Sequence, residues 1–330
     1  MFAYSGSGPY CYTHSLGMVL GSEAPAPGVI ETLTGAPFGV QLLAGTVPLF
    51  DPLGWDPELG VDAALGLLGW TCVREAGGTE KEAVGRLRKA VAGGPVMVGP
   101  VDMGLLLYQP GTPFGSGDDI ADHYVVVVDV GAETVVMHDP HGHPFATLPV
   151  AEFAAAWRAE AVEYIDRPYV MRHSFVRERV VPEPDALRAA MPQAVAWLGN
   201  SGESRATAGS IGGAAAVEAL ADQVRRGLAP QVRTLLRVFG VRVGARRLAD
   251  AAACLARLDL ADAAAVAARQ ARIVGALQYP LVTGDDRALE AGLRLLAPTY
   301  ENLRIEIARS RAQSLRPSAD CAPAPAVDGG

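Results

Sequence analysis

Hydrophobic positions recur along this chain in two textures. Up to about Phe175, short Val-rich runs alternate with Gly/Pro-rich loops and a few helical stretches. Runs of β-branched and apolar residues bounded by turn formers predict strands at Trp70–Arg74, Val96–Val101, His123–Val130, Thr134–Asp139 and Tyr169–Met171. Val84, Leu87 and Val91 fall at helical spacing, so Glu80–Ala92 reads as an amphipathic helix that stops at Gly93-Gly94-Pro95. Pro149–Ala161 reads as a second short helix. Beyond Pro182 the strand pattern ceases. Ala, Leu and Arg at helical periods predict helices over Leu187–Leu198, Gly212–Arg226, Arg246–Leu258, Asp262–Leu277 and Asp286–Leu296. Asp262 and Asp286 suit N-terminal caps or first-turn acids. Asn200–Ser204 reads as a loop. The whole predicts α+β class: residues 1–175 as one domain with a helix packed on an antiparallel sheet, 176–315 as an all-α domain, and 316–330, with its Ala/Pro alternation, as a disordered tail.

Composition narrows the partners. The 330 residues are half apolar and 19% charged, enough for a sizeable core. A net charge of −8 argues against nucleic acid or an anionic membrane as the main partner. Arg225, Arg226, Arg246 and Arg247 are the candidates for a local basic docking patch. No apolar run reaches the length of a membrane span, and no basic-then-apolar leader opens the chain. Cys11, Cys72, Cys254 and Cys321 are scattered, with no CxxC pair, so a reduced, cytoplasmic protein without disulfides is expected. Cys72, after Trp70 in an apolar stretch, reads as a buried small hydrophobe. The Ala/Leu-rich helical half could bury a homodimer face.

Candidate chemistry centres on Cys11. Pro9 suits a first helical turn and Ser7 can cap just before it, while Tyr12, Leu16, Val19 and Leu20 share one face. Cys11 is therefore expected in the first turn of a core-packed helix, where unpaired amides and the helix dipole favour a thiolate and can hold an oxyanion. A hairpin turning near Gly131-Ala132-Glu133 sets His123 opposite position 140 or 141, which brings Asp139 within side-chain reach. Nucleophile, base and orienting carboxylate, in the order Cys11, His123, Asp139, meet the generic requirement of covalent acyl transfer and follow the layout of papain-like cysteine enzymes. Two other readings use neighbouring residues. His138, Asp139, His141 and His143 are dense enough to suggest a metal, but their spacing past a strand matches no standard ligand pattern, so no metal is expected. Ser15 or Ser5 with His14 is the alternative nucleophile pair. Asp118, Asp119 and Asp122 read as a solvated lid edge.

The blocks Pro9-Tyr10-Cys11-Tyr12-Thr13-His14, Gly94-Pro95-Val96-Met97-Val98-Gly99-Pro100-Val101-Asp102, His123–Val128 and Asp139-Pro140 resemble the butirosin biosynthesis protein H-like acyltransferases over residues 1 to about 172. The segment from Gly212 to Ala221 is similar to the helical extension that often follows that domain. The resemblance implies a papain-like core and an acyl-enzyme on Cys11, with no cofactor. The donor would be an acyl carrier protein or coenzyme A thioester. A small-molecule amine would accept the acyl group in natural-product assembly, or attack from within the acyl chain to close a ring. It also implies that Asp102 sits near the cleft and could orient the amine, with His14 a further substrate contact. Papain-like peptidases place a Gln shortly before the Cys; here Tyr4–Gly8 holds none, which leaves backbone amides, Ser5, Ser7 or Gln41 as oxyanion donors. A hydrolase or peptidase on the same three residues, and a non-catalytic carrier-protein-binding module, are the alternative expectations.

Overall fold

The computed structural model describes residues 10–110, 112 and 122–314, with side chains to 309. Ser5, Ser7, Pro9, Asp118, Asp119, Cys321 and the expected tail lie outside the described residues.

The N-terminal half runs α1 (Cys11–Leu20), α2 (Pro27–Leu33), β1 (Gln41–Leu43), β2 (Val47–Leu49), α3 (Pro57–Leu68), β3 (Trp70–Glu75), α4 (Glu80–Val91), β4 (Val96–Asp102), β5 (Asp122–Val130), β6 (Thr134–Asp139), β7 (His143–Pro149), α5 (Val150–Arg158) and β8 (Met171–Arg177). Local chemistry sets several of these limits. Asp56 caps α3 by accepting from Leu59 N at 2.9 Å, and Pro57 occupies the first turn. Thr79 and Glu82 form a reciprocal capping box that starts α4.

Six strands form one antiparallel sheet in the order β3-β8-β4-β5-β6-β7. Alternation along the central strands splits the core in two. Val96, Val98, Val125 and Val127 pack with Leu87 of α4 and Phe153 and Trp157 of α5. Met97 and Tyr124 face the other way, into the cluster built around α1, α2 and α3. Buried on both faces from His123 to Val127, β5 reads as a Val run rather than an alternating strand.

The second half is α6 (Glu183–Leu198), β9 (Ile211–Gly212), α7 (Gly213–Arg226), α8 (Pro230–Leu235), a π turn at Leu236–Gly240, α9 (Val241–Arg257), α10 (Ala261–Ala276), α11 (Gln278–Thr283) and α12 (Asp286–Ser314). The chain is thus mixed α+β with antiparallel sheets and a C-terminal helical region. Two details depart from the sequence pattern. Strand structure does not cease after Pro182, because β9 pairs with β1 in a second small sheet, Gln41 opposite Gly212 and Leu42 opposite Ile211. The last helix does not end at Leu296; it continues through Pro298. Residues from both sides of position 175 share one continuous hydrophobic cluster, from Tyr12 and Leu16 to Leu255, Leu296 and Leu303. Among the described residues, no helix is long and apolar enough to cross a membrane.

Candidate active site

Cys11 is the first residue of α1, with Tyr10 at the N-cap position and no side-chain cap. The first intrahelical bond runs from His14 N to Tyr10 O at 2.9 Å, so the amides before it have no partner within the helix. The residues around Cys11 are anchored side by side. Tyr12 Oη donates to Glu31 Oε1 at 2.7 Å and Thr13 Oγ1 to Glu31 Oε2 at 2.5 Å. Ser15 Oγ donates to the Tyr124 carbonyl at 3.1 Å, and Tyr10 Oη to Asp250 Oδ2 at 3.0 Å. With Leu16 and Leu20 in the core below, the helix start has little freedom to tilt.

Two bulges bring the hairpin to this helix. In β4 the register slips between Val98 and Val101, which places Val101 opposite His123. The slip needs Gly99: a Cβ there would lie 2.3 Å from Tyr124 Cδ1. In β5 the register slips between Val127 and Asp129. Near the turn Val130 pairs with Val135, a little further along than the sequence count expects. The slip restores Val126 opposite His138, a register that continues to His123 opposite position 141. Asp139 then lies two places away, and its Oδ1 is 2.7 Å from His123 Nε2. Cys11 acts on the same imidazole through a hydrogen bond and by charge. The structure therefore brings Cys11, His123 and Asp139 together.

Asp139 is the hub of this cluster. It is fully buried and accepts from His123 Nε2, Tyr108 Oη at 2.8 Å, Gln109 Nε2 at 2.5 Å and His141 N at 2.7 Å. Burial alone would raise its pKa. The charge and hydrogen bond of His123, with the His141 amide and Tyr108, outweigh burial and hold the carboxyl well below the usual range. For His123 burial likewise opposes the charge, yet Asp139 and Cys11 push its pKa up to about 10. Its neighbours go the other way. His141, whose ring centroid is 4.5 Å from that of His123, is lowered to about 4 by burial and by the His123 charge. His14 is lowered to about 4 by burial and by Arg246. Near neutral pH this favours a cationic His123 and neutral His14 and His141.

The other expected residues fall into different places. His14 is buried and stacks on Tyr10, with ring centroids 6.2 Å apart. Asp102 caps the short turn Met103–Leu105, accepting from Gly104 N at 2.8 Å, and sits opposite Asp122 beside His123. Gln41 donates to Asp51 Oδ1 at 2.7 Å, within a buried polar network. His138 accepts from Phe145 N at 3.2 Å, and His143 packs edge-on against Tyr108. Among the described residues no three His, Cys, Asp or Glu side chains are placed to hold a metal ion.

Four participants escaped the sequence reading. Tyr108 and Gln109 follow the apolar Leu105–Leu107 run, and nothing in their spacing points to Asp139. Arg247 and Glu31 form the second network. Arg247 is buried and reaches Glu31 Oε1 at 2.6 Å, the Phe50 carbonyl at 2.9 Å, Asp51 Oδ2 at 3.3 Å and Tyr12 Oη at 2.7 Å. It thereby ties α9 to the start of α1. On the sheet side, Tyr124 Oη donates to Glu58 Oε1 at 3.1 Å, which also receives Arg172 at 2.5 Å. Tyr164 Oη donates to Asp122 at 2.5 Å, so both chain neighbours of His123 are held. A cleft lined by Thr79, Arg158, Ile165 and Tyr169 includes none of these groups.

Fold and site together define a mixed α+β protein with a buried cysteine–histidine–aspartate cluster. Comparison with known proteins adds two similarities. The family model of the YobF C-terminal domain matches residues 206–308, which span β9 through most of α12. The chain is also 34% identical over 167 residues to a Bacillus subtilis (strain 168) protein described as "Uncharacterized protein YobF", a stretch covering 50% of this chain and 53% of that protein. The chain thus spans about half the length of this curated relative.

Proposed function

We propose that the protein is a cysteine-dependent acyltransferase that forms an amide from an acyl thioester. The observation that carries the reading is the buried group Cys11, His123 and Asp139, in which Asp139 binds the imidazole at Nε2 and, together with Cys11, raises its pKa to about 10. A thiolate beside an imidazolium at a helix start is the activated state such chemistry needs. The Cys11 sulfur attacks the thioester carbonyl, a new C–S bond forms, and the bond to the donor thiol breaks. His123 gives its proton to the departing sulfur. An amine then attacks the acyl-enzyme, passes a proton to His123, and displaces Cys11 as thiolate. Asp139 keeps the imidazole oriented throughout. The uncapped first-turn amides of α1 stabilise the oxyanion. Asp102 and His14 belong to the same end of the sheet and helix and remain the proposed substrate contacts.

The helix-on-antiparallel-sheet arrangement fits a papain-like core, and the sequence blocks around Cys11 and His123 resemble the butirosin biosynthesis protein H-like acyltransferases. On that basis the donor is an acyl carrier protein or coenzyme A thioester and the acceptor a small-molecule amine, without a cofactor. Net charge −8 disfavours nucleic acid as substrate. Cys11, Cys72 and Cys254 are free thiols, which suits a reducing, cytoplasmic setting. The test is trapping. Incubation with acyl-pantetheine or acyl coenzyme A should give a mass adduct that is lost in Cys11→Ala and discharged as amide by added amine. Discharge only as free acid would make the protein a hydrolase on the same residues. No adduct with any thioester, together with alkylation of Cys11 no faster than free cysteine, would refute the enzyme reading.

A further inference from the structure

One face of α9 carries Arg242 and Arg246, both exposed and one helical turn apart. The Arg246 guanidinium lies 5.0 Å above the ring of Tyr10, the residue before Cys11. The Arg242 charge reaches His141, whose ring packs on His123. Arg246 therefore stands over the residue next to Cys11, and Arg242, one turn earlier on the same face, acts by charge on the ring that packs against His123. Their compensation is unequal. Arg246 Nε is 3.6 Å from Asp250 Oδ2, but that carboxylate is shared with the Tyr10 hydroxyl. Arg242 donates to the Val238 carbonyl at 3.3 Å and, among the described residues, forms no carboxylate ion pair. A guanidinium offers paired donors that fit an oxyanion better than water-exposed lysine does. In a chain of net charge −8, an exposed guanidinium without a carboxylate partner near a nucleophilic centre favours the approach of an anion.

We propose that Arg242 and Arg246 form an anion-reading rim of the Cys11–His123 centre, which takes an oxyanion carried by the acyl donor. This rests on the acyl-transfer reading above. The oxyanion comes either from the phosphate ester of a pantetheine-linked thioester or from a carboxylate within the acyl chain.

The rim is tested in the full chain by comparing Cys11 alkylation with iodoacetate, an anion, and iodoacetamide, its neutral analogue. The ratio of the two rates should exceed that of free cysteine. It should fall about fivefold or more in R242Q/R246Q and in high salt, because local fields of this kind change encounter rates by tenfold and upward and are screened over about 10 Å. R242K/R246K should retain most of the ratio. An unchanged ratio in the Gln variant, or equal loss in the Lys variant, overturns the proposal. Should the double variant fail to melt cooperatively, R242Q alone, which breaks no ion pair, carries the same test. Acylation of Cys11 by acetyl coenzyme A, S-acetylpantetheine and S-succinylpantetheine then separates the sources. A selective loss with the first points to phosphate, and with the third to carboxylate; equal slowing of all three overturns the rim. If no thioester acylates Cys11 while the alkylation ratio still moves, the rim stands and the acyl-transfer reading falls.

Discussion

Replacing Asp139 by Asn keeps the shape of the side chain and removes one buried charge. His123 is completely buried, and burial by itself lowers the pKa of an imidazole below its ordinary 6.5. Asp139 and Cys11 reverse that and bring the value up to about 10. Asp139 is the larger of the two contributors, so Asp139→Asn should drop the His123 midpoint by roughly four units, to below 6.5. At about 1.4 kcal/mol per unit this is a loss of about 5 kcal/mol in the preference for imidazolium. The amide also turns an N–H toward one of four donors, His123, Tyr108, Gln109 and the His141 amide, none of which accepts easily in its present role. The assay is NMR titration of the labelled His123 ring, with Cys11 alkylation followed over the same pH range. The wild-type midpoint should lie above 9. In Asp139→Asn it should fall below 6.5, and alkylation of Cys11 near pH 6 should slow. A midpoint above 9 in the variant would refute the assignment of Asp139 as the group that holds the proton. A wild-type midpoint near 6.5 would refute the whole arrangement.

Three further outcomes follow from the same contacts. Stability should peak near pH 6.5: His14 and His141, folded near 4, leave the unfolded state binding more protons below 6.5, so stability falls with acid, by about 4 kcal/mol down to pH 5. His123 has a raised folded pKa, so its contribution is complete below 6.5 and is lost as pH rises toward 10; urea midpoints across pH 4.5–9.5 should trace this dome, and a curve flat from 5 to 9 contradicts it. Arg247→Met strands the buried Glu31 carboxylate and should cost about 3–5 kcal/mol by urea denaturation, with Arg247→Lys recovering only part, since one ammonium cannot span Glu31, Asp51 and Tyr12. Tyr108→Phe removes one of four donors to Asp139 and should cost about 1–2 kcal/mol while leaving His123 titrating well above 6.5; a midpoint as low as that of Asp139→Asn would make Tyr108, not the carboxylate, decisive.

What the sequence disclosed about the site is what local geometry determines. The hairpin is short, so counting from its turn placed Asp139 within two positions of its partner although the turn pairing itself was off; the bulge after Val127 absorbed the difference. Cys11 was legible through the helical spacing of Tyr12, Leu16, Val19 and Leu20, although the helix opens at Cys11 itself, after Tyr10 and without a side-chain cap. Contacts between distant segments left no such trace. Glu31 and Arg247 are 216 positions apart, and each sits in a segment whose pattern is satisfied by helix formation alone. Arg247 in particular reads as a surface charge alongside Arg225, Arg226 and Arg246, since helical periodicity does not show which arginine turns inward. Gln109 was hidden because a lone amide after an apolar run fits a turn as well as a site. The end of α12 was misjudged at Pro298, because a proline in an otherwise helical pattern more often stops a helix than sits inside one.

The division at residue 175, natural from the change of texture, has a physical consequence that can be measured. Cutting there removes β9 from its ladder with β1, Arg247 from Glu31 and Tyr12, and Asp250 from Tyr10. Each of these contacts acts on α1 or on the segment that supports it. The cut also uncovers Tyr12, Leu16, Val29, Ile30 and Leu33, which are buried within a cluster completed by Leu248, Leu255 and their neighbours. Glu31 would be left as an unpaired carboxylate against apolar surface, a loss of about 3–5 kcal/mol before any apolar exposure is counted, and comparable to the whole stability of many domains. A chain of residues 1–175 should therefore lack a cooperative melt, bind hydrophobic dyes, and show Cys11 alkylation close to that of free cysteine with no His123 resonance titrating above 9. Adding residues 176–330 as a separate polypeptide should restore both signals if the two segments recognise each other through this core. A fragment that melts cooperatively and keeps the high His123 midpoint by itself would show that the hairpin and α1 form the site without α9, and that the similarity over residues 206–308 concerns a separable unit.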